Sequence, residues 1–281
     1  MFYKFKFDDN KYKTHDYATI TWAVGREFFE KPEFGVYLKS LKNVAADHLM
    51  FTFEMPCSWR KKLADLGVVV IDTDPFGDFF FGRNRMTAKF LRECDYKVVA
   101  VTDCKDVIFQ RDVFELVPDG EFAILTTEGM AYQESEWNMG EYFRFGNTGF
   151  KVCLYDLSQP VINGGVQIGT PKKLAEIYQA VANPLAYVKK EPVKLPYQFT
   201  DQVMLNIVYH DCLYKFDKQV KLNDPKFDNI CITGEGIKEG FMDGRYRFEN
   251  GAFLTKLGEP YYIVHQWDRT QYRDEIIETN D

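Results

Sequence analysis

Between residues 17 and 103 the chain repeats one pattern: a short, unbroken apolar run, then a polar stretch with apolar residues at helical spacing. The runs are YATITWAV (17–24), HLMFTFEM (48–55), VVVID (68–72) and KVVAVTD (97–103). A strand with one wet face alternates apolar and polar residues; these do not, so each is buried on both faces. That is the signature of a mostly parallel sheet wrapped by helices. The spacers agree. EFGVYLKSLKN (33–43) has helical spacing, SWRKKLADLG (58–67) places Ser58 as N-cap and Gly67 as C-cap, and RMTAKFLREC (85–94) is a further helix. The pattern therefore predicts an α/β fold.

In open sheets of this kind ligands bind beyond the carboxyl ends of the strands. Gly25, Asp72, Asp103 and Asp106 fall at such ends. In VTDCKDV the two aspartates repel each other unless something cationic lies between them. They are either a strand-to-turn junction or half of a metal site. Hard divalent cations such as Mn²⁺ or Mg²⁺ take one or two carboxylates plus substrate phosphates. His265 also ends an apolar stretch, YYIVHQWDR (261–269), so it can meet the aspartates at one rim; the alternative is a hydrogen-bonded, half-buried histidine. Arg85 and Lys89 lie one helical turn apart. Arg85 opposes the dipole at a helix start unless an anion is near. The pair is either a phosphate or sugar clamp or a solvated face. Asn163-Gly164-Gly165 lets backbone approach a ligand, or makes a turn. Asp201-Gln202 opens the helix TDQVMLNIVYHD (200–211), as capping chemistry or as a carboxylate and an amide at the cleft.

The second half is less regular. EFAILTTE (121–128) reads as a strand, 129–149 as loop-rich, and PVINGGVQIGT (160–170) as a glycine pair followed by a short strand. PKKLAEIYQAVAN (171–183) is a helix with Pro171 at its first position. Pro184, Pro192 and Pro196 indicate a crossing loop over 184–198; RFENGAFL (247–254) is an Asn-Gly hairpin, and the tail RDEIIETND reads as frayed. The first sixteen residues read as an edge hairpin or an arm. Tyr132, Trp137, Tyr142 and Phe143 belong to a covering loop or to acceptor contacts. With no Pro/Gly/Ser linker and no repeat, one domain is expected over 1–281, its nucleotide-binding half about 17–110 and its closing half about 111–270.

Several classes are excluded. Net charge is −7 and basic residues occur only as short pairs, against nucleic-acid binding. The six cysteines form no C-x-x-C pair, against zinc, and read as free thiols of a reducing compartment. No transmembrane run and no apolar leader are found, so a soluble, cytoplasmic protein is expected. Walker, G-x-G-x-x-G and G-x-S-x-G motifs are missing.

Taken in order, TITWAVGR, VVVID, RNRMTAKFL, VTDCKDVIF, NGGVQIG, TDQVMLN and IVHQWDR resemble the motifs of GT-A fold glycosyltransferases, nearest to the retaining, glycogenin-like and bacterial galactosyltransferase-like group. The composition is also similar to that of small glycosyltransferases encoded by large DNA viruses. The likeness spans residues 19–269. It implies a Rossmann-like, mostly parallel sheet with a smaller mixed second sheet, and a UDP-sugar donor with a glycan or protein-linked acceptor. It implies Mn²⁺ (or Mg²⁺) on Asp103, Asp106 and His265, with Asp103 touching the metal or the ribose. Ala23, Val24 and Arg26 would lie by the base, and Arg269 on the diphosphate. Arg85, Lys89, Asn163, Gly164 and Gly165 would line the donor sugar, with Asp201 and Gln202 at the reacting carbon. The motif here is Asp-x-x-Asp, Gly164 stands for the family's serine, and the Gly-x-x-Lys after the histidine is missing. An inverting transferase, with Glu128 or Asp201 as base, and an inactive sugar-nucleotide or glycan-binding module are the alternatives.

Overall fold

In a computed structural model, residues 12–73, 79–146, 156–188, 200–211, 217–225, 228–234, 237–242, 244 and 246–280 are described. The apolar runs become β1 (Tyr17–Val24), β2 (Asp47–Phe53), β3 (Val68–Asp72) and β4 (Val98–Thr102). Between them lie α1 (Pro32–Ser40), α2 (Cys57–Asp65) and α3 (Phe79–Glu93). After a short β5 (Val107–Phe109) come β6 (Ala123–Ala131), α4 (Glu136–Gly146), β7 (Pro160–Gly169), α5 (Pro171–Val188), α6 (Thr200–His210) and β8 (Val220–Asn223). The chain continues through β9 (Ile230–Ile232), α7 (Ile237–Met242), the hairpin β10 (Arg247–Glu249) and β11 (Ala252–Leu254), β12 (Ile263–His265) and α8 (Arg273–Thr279).

The main sheet has seven strands in the order β3-β2-β1-β4-β7-β6-β8. All neighbours are parallel except β7, which runs against both β4 and β6. One face buries Trp22, Phe51, Phe90, Val101 and Leu125, the other Phe34, Met50, Ala100 and Ile168. A three-stranded mixed sheet, β5-β12-β9, stands beside it. This is the α/β class the apolar runs predict.

Several local readings change. α2 begins at Cys57 behind Pro56, so Ser58 lies inside the helix and is not its N-cap, and α3 begins at Phe79, so Arg85 lies in mid-helix and not at a helix start. Residues 136–146, expected as loop, form α4: Ser135 caps it, its Oγ accepting from the Asn138 N–H at 3.2 Å, with Glu136 favourable in the first turn. The glycine pair at 164–165 lies inside β7 rather than before it. α5 runs through Pro184 to Val188, and 189–199 lie outside the described residues. The tail is not frayed: Ile276 of α8 is 3% exposed in an aromatic cluster with Trp267 and Tyr261, and Arg273 Nε donates to Glu33 at 2.9 Å. The proposed N-terminal hairpin or arm falls largely on residues 1–11, outside the described set. Among the described residues no helix is long and apolar enough to cross a membrane. Cys57, Cys94, Cys104 and Cys231 are free thiols.

Candidate active site

Sheet register brings the carboxylates and the histidine together. Asp103 follows the last residue of β4, and its N–H donates to the Gly165 carbonyl of β7 at 2.8 Å. Asp106 precedes β5, whose Val107 pairs with His265 of β12. The Gln266 N–H then donates to the Asp106 carbonyl at 2.7 Å. One ligand atom from each of Asp103, Asp106 and His265 lies within 4.8 Å of the others. Between the aspartates, Cys104 turns inward. It is 2% exposed, and its Sγ donates to the Trp22 carbonyl at 3.2 Å. Burial raises its pKa, so it is a neutral anchor and not a ligand. Asp-x-x-Asp thus presents both carboxylates outward while the intervening thiol pins the turn to β1.

Gly165 is what lets this cluster close. A Cβ there would lie 2.1 Å from His265 Cε1 and 2.8 Å from Asp103 Oδ2. The sequence marked this glycine for a sugar; its first duty is room for the imidazole.

The His265 ring is 2% exposed, and neither nitrogen has a hydrogen-bond partner. Nε2 is 3.6 Å from Asp103 Oδ2 and 3.5 Å from Asp106 Oδ1, too long for hydrogen bonds. Burial pushes the His265 pKa down, but the charges of Asp106 and Asp103 outweigh it and raise the value. Burial likewise pushes Asp106 up, yet His265, Lys105 and Arg269 bring it below the usual carboxylate range. A buried imidazole facing two carboxylates, with no hydrogen bond at either ring nitrogen, is a donor set that fits a divalent cation.

Arg83, which lies in the same stretch as Arg85 and Lys89 and had no role assigned from sequence, is the cation at the centre. It reaches Asp103 Oδ1 at 3.0 Å and also bonds Asp201 Oδ2. Burial opposes its charge, and the carboxylates of Asp201 and Asp103 more than offset that. It divides two spaces. A cleft of about 690 Å³ is lined by Trp22, Val24, Phe28, Arg83, Asp103, Lys105 and Asp106. A smaller, tight cavity lies behind, against Gly164, Tyr178 and Asp201. Arg85 is exposed and Lys89 half-buried, and neither lines these spaces. Arg26 and Arg269 are exposed, and Ala23 is buried in the core while Val24 faces the cleft.

Gln202 belongs to a buried amide network around Glu128. The Glu128 carboxylate accepts from Asn138 Nδ2 at 3.0 Å, Asn163 Nδ2 at 3.1 Å and Gln202 Nε2 at 3.0 Å. A carboxylate only accepts, so it fixes which end of each amide faces it. Gln202 Oε1 is then left to accept the Gly164 N–H at 3.0 Å, and Asn163 Oδ1 the Gly165 N–H at 2.8 Å. Asn138 was hidden by the loop reading of its helix. Tyr132, a candidate acceptor contact, is fully buried, whereas Trp137 and Phe143 are exposed on α4.

This fold, with its cleft at the strand ends, is that of the GT-A glycosyltransferases. Among solved structures, the galactosyltransferase LgtC in complex with donor and acceptor sugar analogs superimposes with a TM-score of 0.56, at 14% identity, over 94% of this chain and 95% of that one. An active-site mutant of LgtC gives 0.56 at 15% identity over 94% of each chain. No protein-family model and no curated protein sequence matches the chain. The likeness carries the fold, and not a viral source.

Proposed function

We propose that the protein is a divalent-metal-dependent, retaining glycosyltransferase. It would move a sugar from a nucleotide-diphosphate sugar, a UDP-sugar in our reading, to a glycan or protein-linked acceptor. The observation that carries this is the Asp103–Asp106–His265 cluster, whose two carboxylates line the cleft and whose imidazole is buried with no hydrogen bond at either nitrogen.

Asp103, Asp106 and His265 would hold Mn²⁺ or Mg²⁺, whose charge offsets that of the leaving diphosphate. Val24, with Trp22 and Phe28, supports an aromatic and apolar wall for the base. Ala23 can offer only its backbone there, and Arg26 the rim. Arg269, close enough to lower the Asp106 pKa, is a candidate for the diphosphate. Asn163, Gly164 and Gly165 would line the donor-sugar space, their backbone held in place by the Gly164 N–H to Gln202 Oε1 and Gly165 N–H to Asn163 Oδ1 bonds, and Arg85 and Lys89 would approach its outer rim. Asp201, ion-paired to Arg83, is the candidate nucleophile on the face opposite the diphosphate; the two-step route parallels retaining glycosidases. Gln202, locked by Glu128 and the Gly164 N–H, would place its amide oxygen toward developing positive charge. If Asp201 stays with Arg83, the acceptor hydroxyl attacks on the leaving-group face and gives its proton to a phosphate oxygen. The inverting alternative loses one base, because three amides occupy the Glu128 carboxylate.

The test is calorimetric titration of UDP into metal-free protein, with and without Mn²⁺, for the native chain and Asp106→Asn. The expected result is binding that needs Mn²⁺ and is lost in the variant. UDP release from a donor panel then separates an enzyme from an inactive binding module, and the product anomer, read by NMR, reports retention. Binding indifferent to Mn²⁺ would overturn the metal-dependent reading.

A further inference from the structure

One residue of the acidic turn is left without a role. Lys105 lies between the two carboxylates in sequence, and its side chain lines the 690 Å³ cleft with Trp22, Phe28, Asp103 and Asp106. Its ammonium sits 2.8 Å from Asp268 Oδ2. Burial pulls its pKa down, but the bond to Asp268 and the charges of Asp268 and Asp106 raise it, so the amine is charged. Asp268 is 11% exposed, and its other oxygen, Oδ1, is buried with no hydrogen-bond partner. The pair is held on one point while half of the carboxylate is unsatisfied.

That arrangement is poor for a purely structural ion pair. A buried pair offsets its desolvation only when the remaining lone pairs are also satisfied. It suits a cation parked next to a binding space. A lysine is a compact charge on a long flexible stem, able to change partner without backbone movement. An entering anion in the cleft competes with Asp268 for it.

We propose that Lys105 is an exchangeable phosphate contact: it is held on Asp268 in the free protein and transferred to a phosphate oxygen when a nucleoside diphosphate enters the cleft. This rests on the nucleotide-sugar reading above, and assigns to the acidic turn itself a cation that neither Arg269 nor the missing Gly-x-x-Lys need supply. No bond is made or broken; one charge-assisted hydrogen bond replaces another.

The test titrates UDP and uridine, each with Mn²⁺, into the native protein, Lys105→Met and Asp268→Asn, with thermal melting as the check on folding. A charge-assisted hydrogen bond removed corresponds to about ten- to a hundredfold in affinity. Lys105→Met is expected to bind UDP at least about tenfold more weakly and uridine as the native protein does. Asp268→Asn, which removes the competitor, is expected to bind UDP more tightly and to leave uridine unchanged. Equal UDP binding by the native protein and Lys105→Met overturns the lysine's role alone. Weaker UDP binding by Asp268→Asn overturns the exchange and makes the pair a fixed support. No UDP binding by the native protein overturns the nucleotide-sugar reading, and this inference with it. If Lys105→Met does not fold, Lys105→Gln replaces it under the same criteria.

Discussion

Replacing Gly165 by alanine adds one carbon, and the structure says where it lands. The new Cβ lies 2.1 Å from His265 Cε1, 2.6 Å from Nε2 and 2.8 Å from Asp103 Oδ2. Carbon atoms rest at about 3.5–4.0 Å, so a separation of more than 1 Å must be made up. β7 cannot supply it cheaply, because it is hydrogen-bonded on both sides and its Gly165 carbonyl accepts from Asp103. The imidazole has to move, and it is buried, at 2% exposure. Overpacking of this kind costs about 1–3 kcal/mol, or about 2–4 °C of melting temperature per kcal/mol in a chain near this size. Metal–ligand distances tolerate about 0.2 Å, so Mn²⁺ affinity should fall by more than about tenfold. The assay is free Mn²⁺ measured by electron paramagnetic resonance during titration, with thermal melting alongside. Gly164→Ala is the built-in control, since its Cβ would meet only Gln202 at 3.8 Å. It should change stability by less than about 1 kcal/mol and leave Mn²⁺ binding intact. If Gly165→Ala binds Mn²⁺ like the native protein, the close approach argued here is wrong. If Gly164→Ala loses as much, the effect belongs to strand flexibility and not to the ring.

Two further outcomes are expected. Arg83→Met strands Asp201 beside Asp103 and should cost about 3–5 kcal/mol, whereas Arg83→Met with Asp201→Leu should cost less than the sum of the single changes; additivity in denaturant melts would refute the pairing. Asp47 is buried and accepts from the Thr14 hydroxyl, from the Thr14 N–H at 2.8 Å and from His15 Nδ1 at 2.9 Å; burial pushes its pKa up, but the Thr14 and His15 bonds outweigh it and lower the value. A depressed carboxylate gives stability that is present above its unfolded value, about 3.9, and lost as pH falls through the folded one. Asp47→Asn should therefore flatten the acid limb of a stability-against-pH curve below about pH 4; an unchanged slope would refute this.

The first half of the fold was legible because burial on both faces writes itself as unbroken apolar runs; β1 and β3 fall on the residues read from sequence. The metal-type cluster was legible for a related reason: Asp103, Asp106 and His265 all stand at strand ends, where a change from apolar to ionisable is visible. What escaped were residues whose role depends on who arrives opposite. Arg83 and Arg85 share a helix and a charge, and only the position of α3 against Asp103 and Asp201 separates them. Glu128 and Asn138 meet through a helix whose aromatic and glycine content hid its periodicity. Gly165 looked like a turn because the imidazole that demands a missing side chain comes from far along the chain.

His265 belongs to β12, the last of the described strands, and is separated from Asp106 by more than half of the chain. During synthesis every strand of the main sheet is made before β12 exists, so the sheet can assemble while Asp103 and Asp106 still face each other without their histidine. The middle strand of β5-β12-β9 is also the one that arrives last. A nascent chain stopped at residue 260 would therefore hold a complete main sheet and no three-ligand cluster. The three-residue cluster is therefore complete only once β12 lies between β5 and β9.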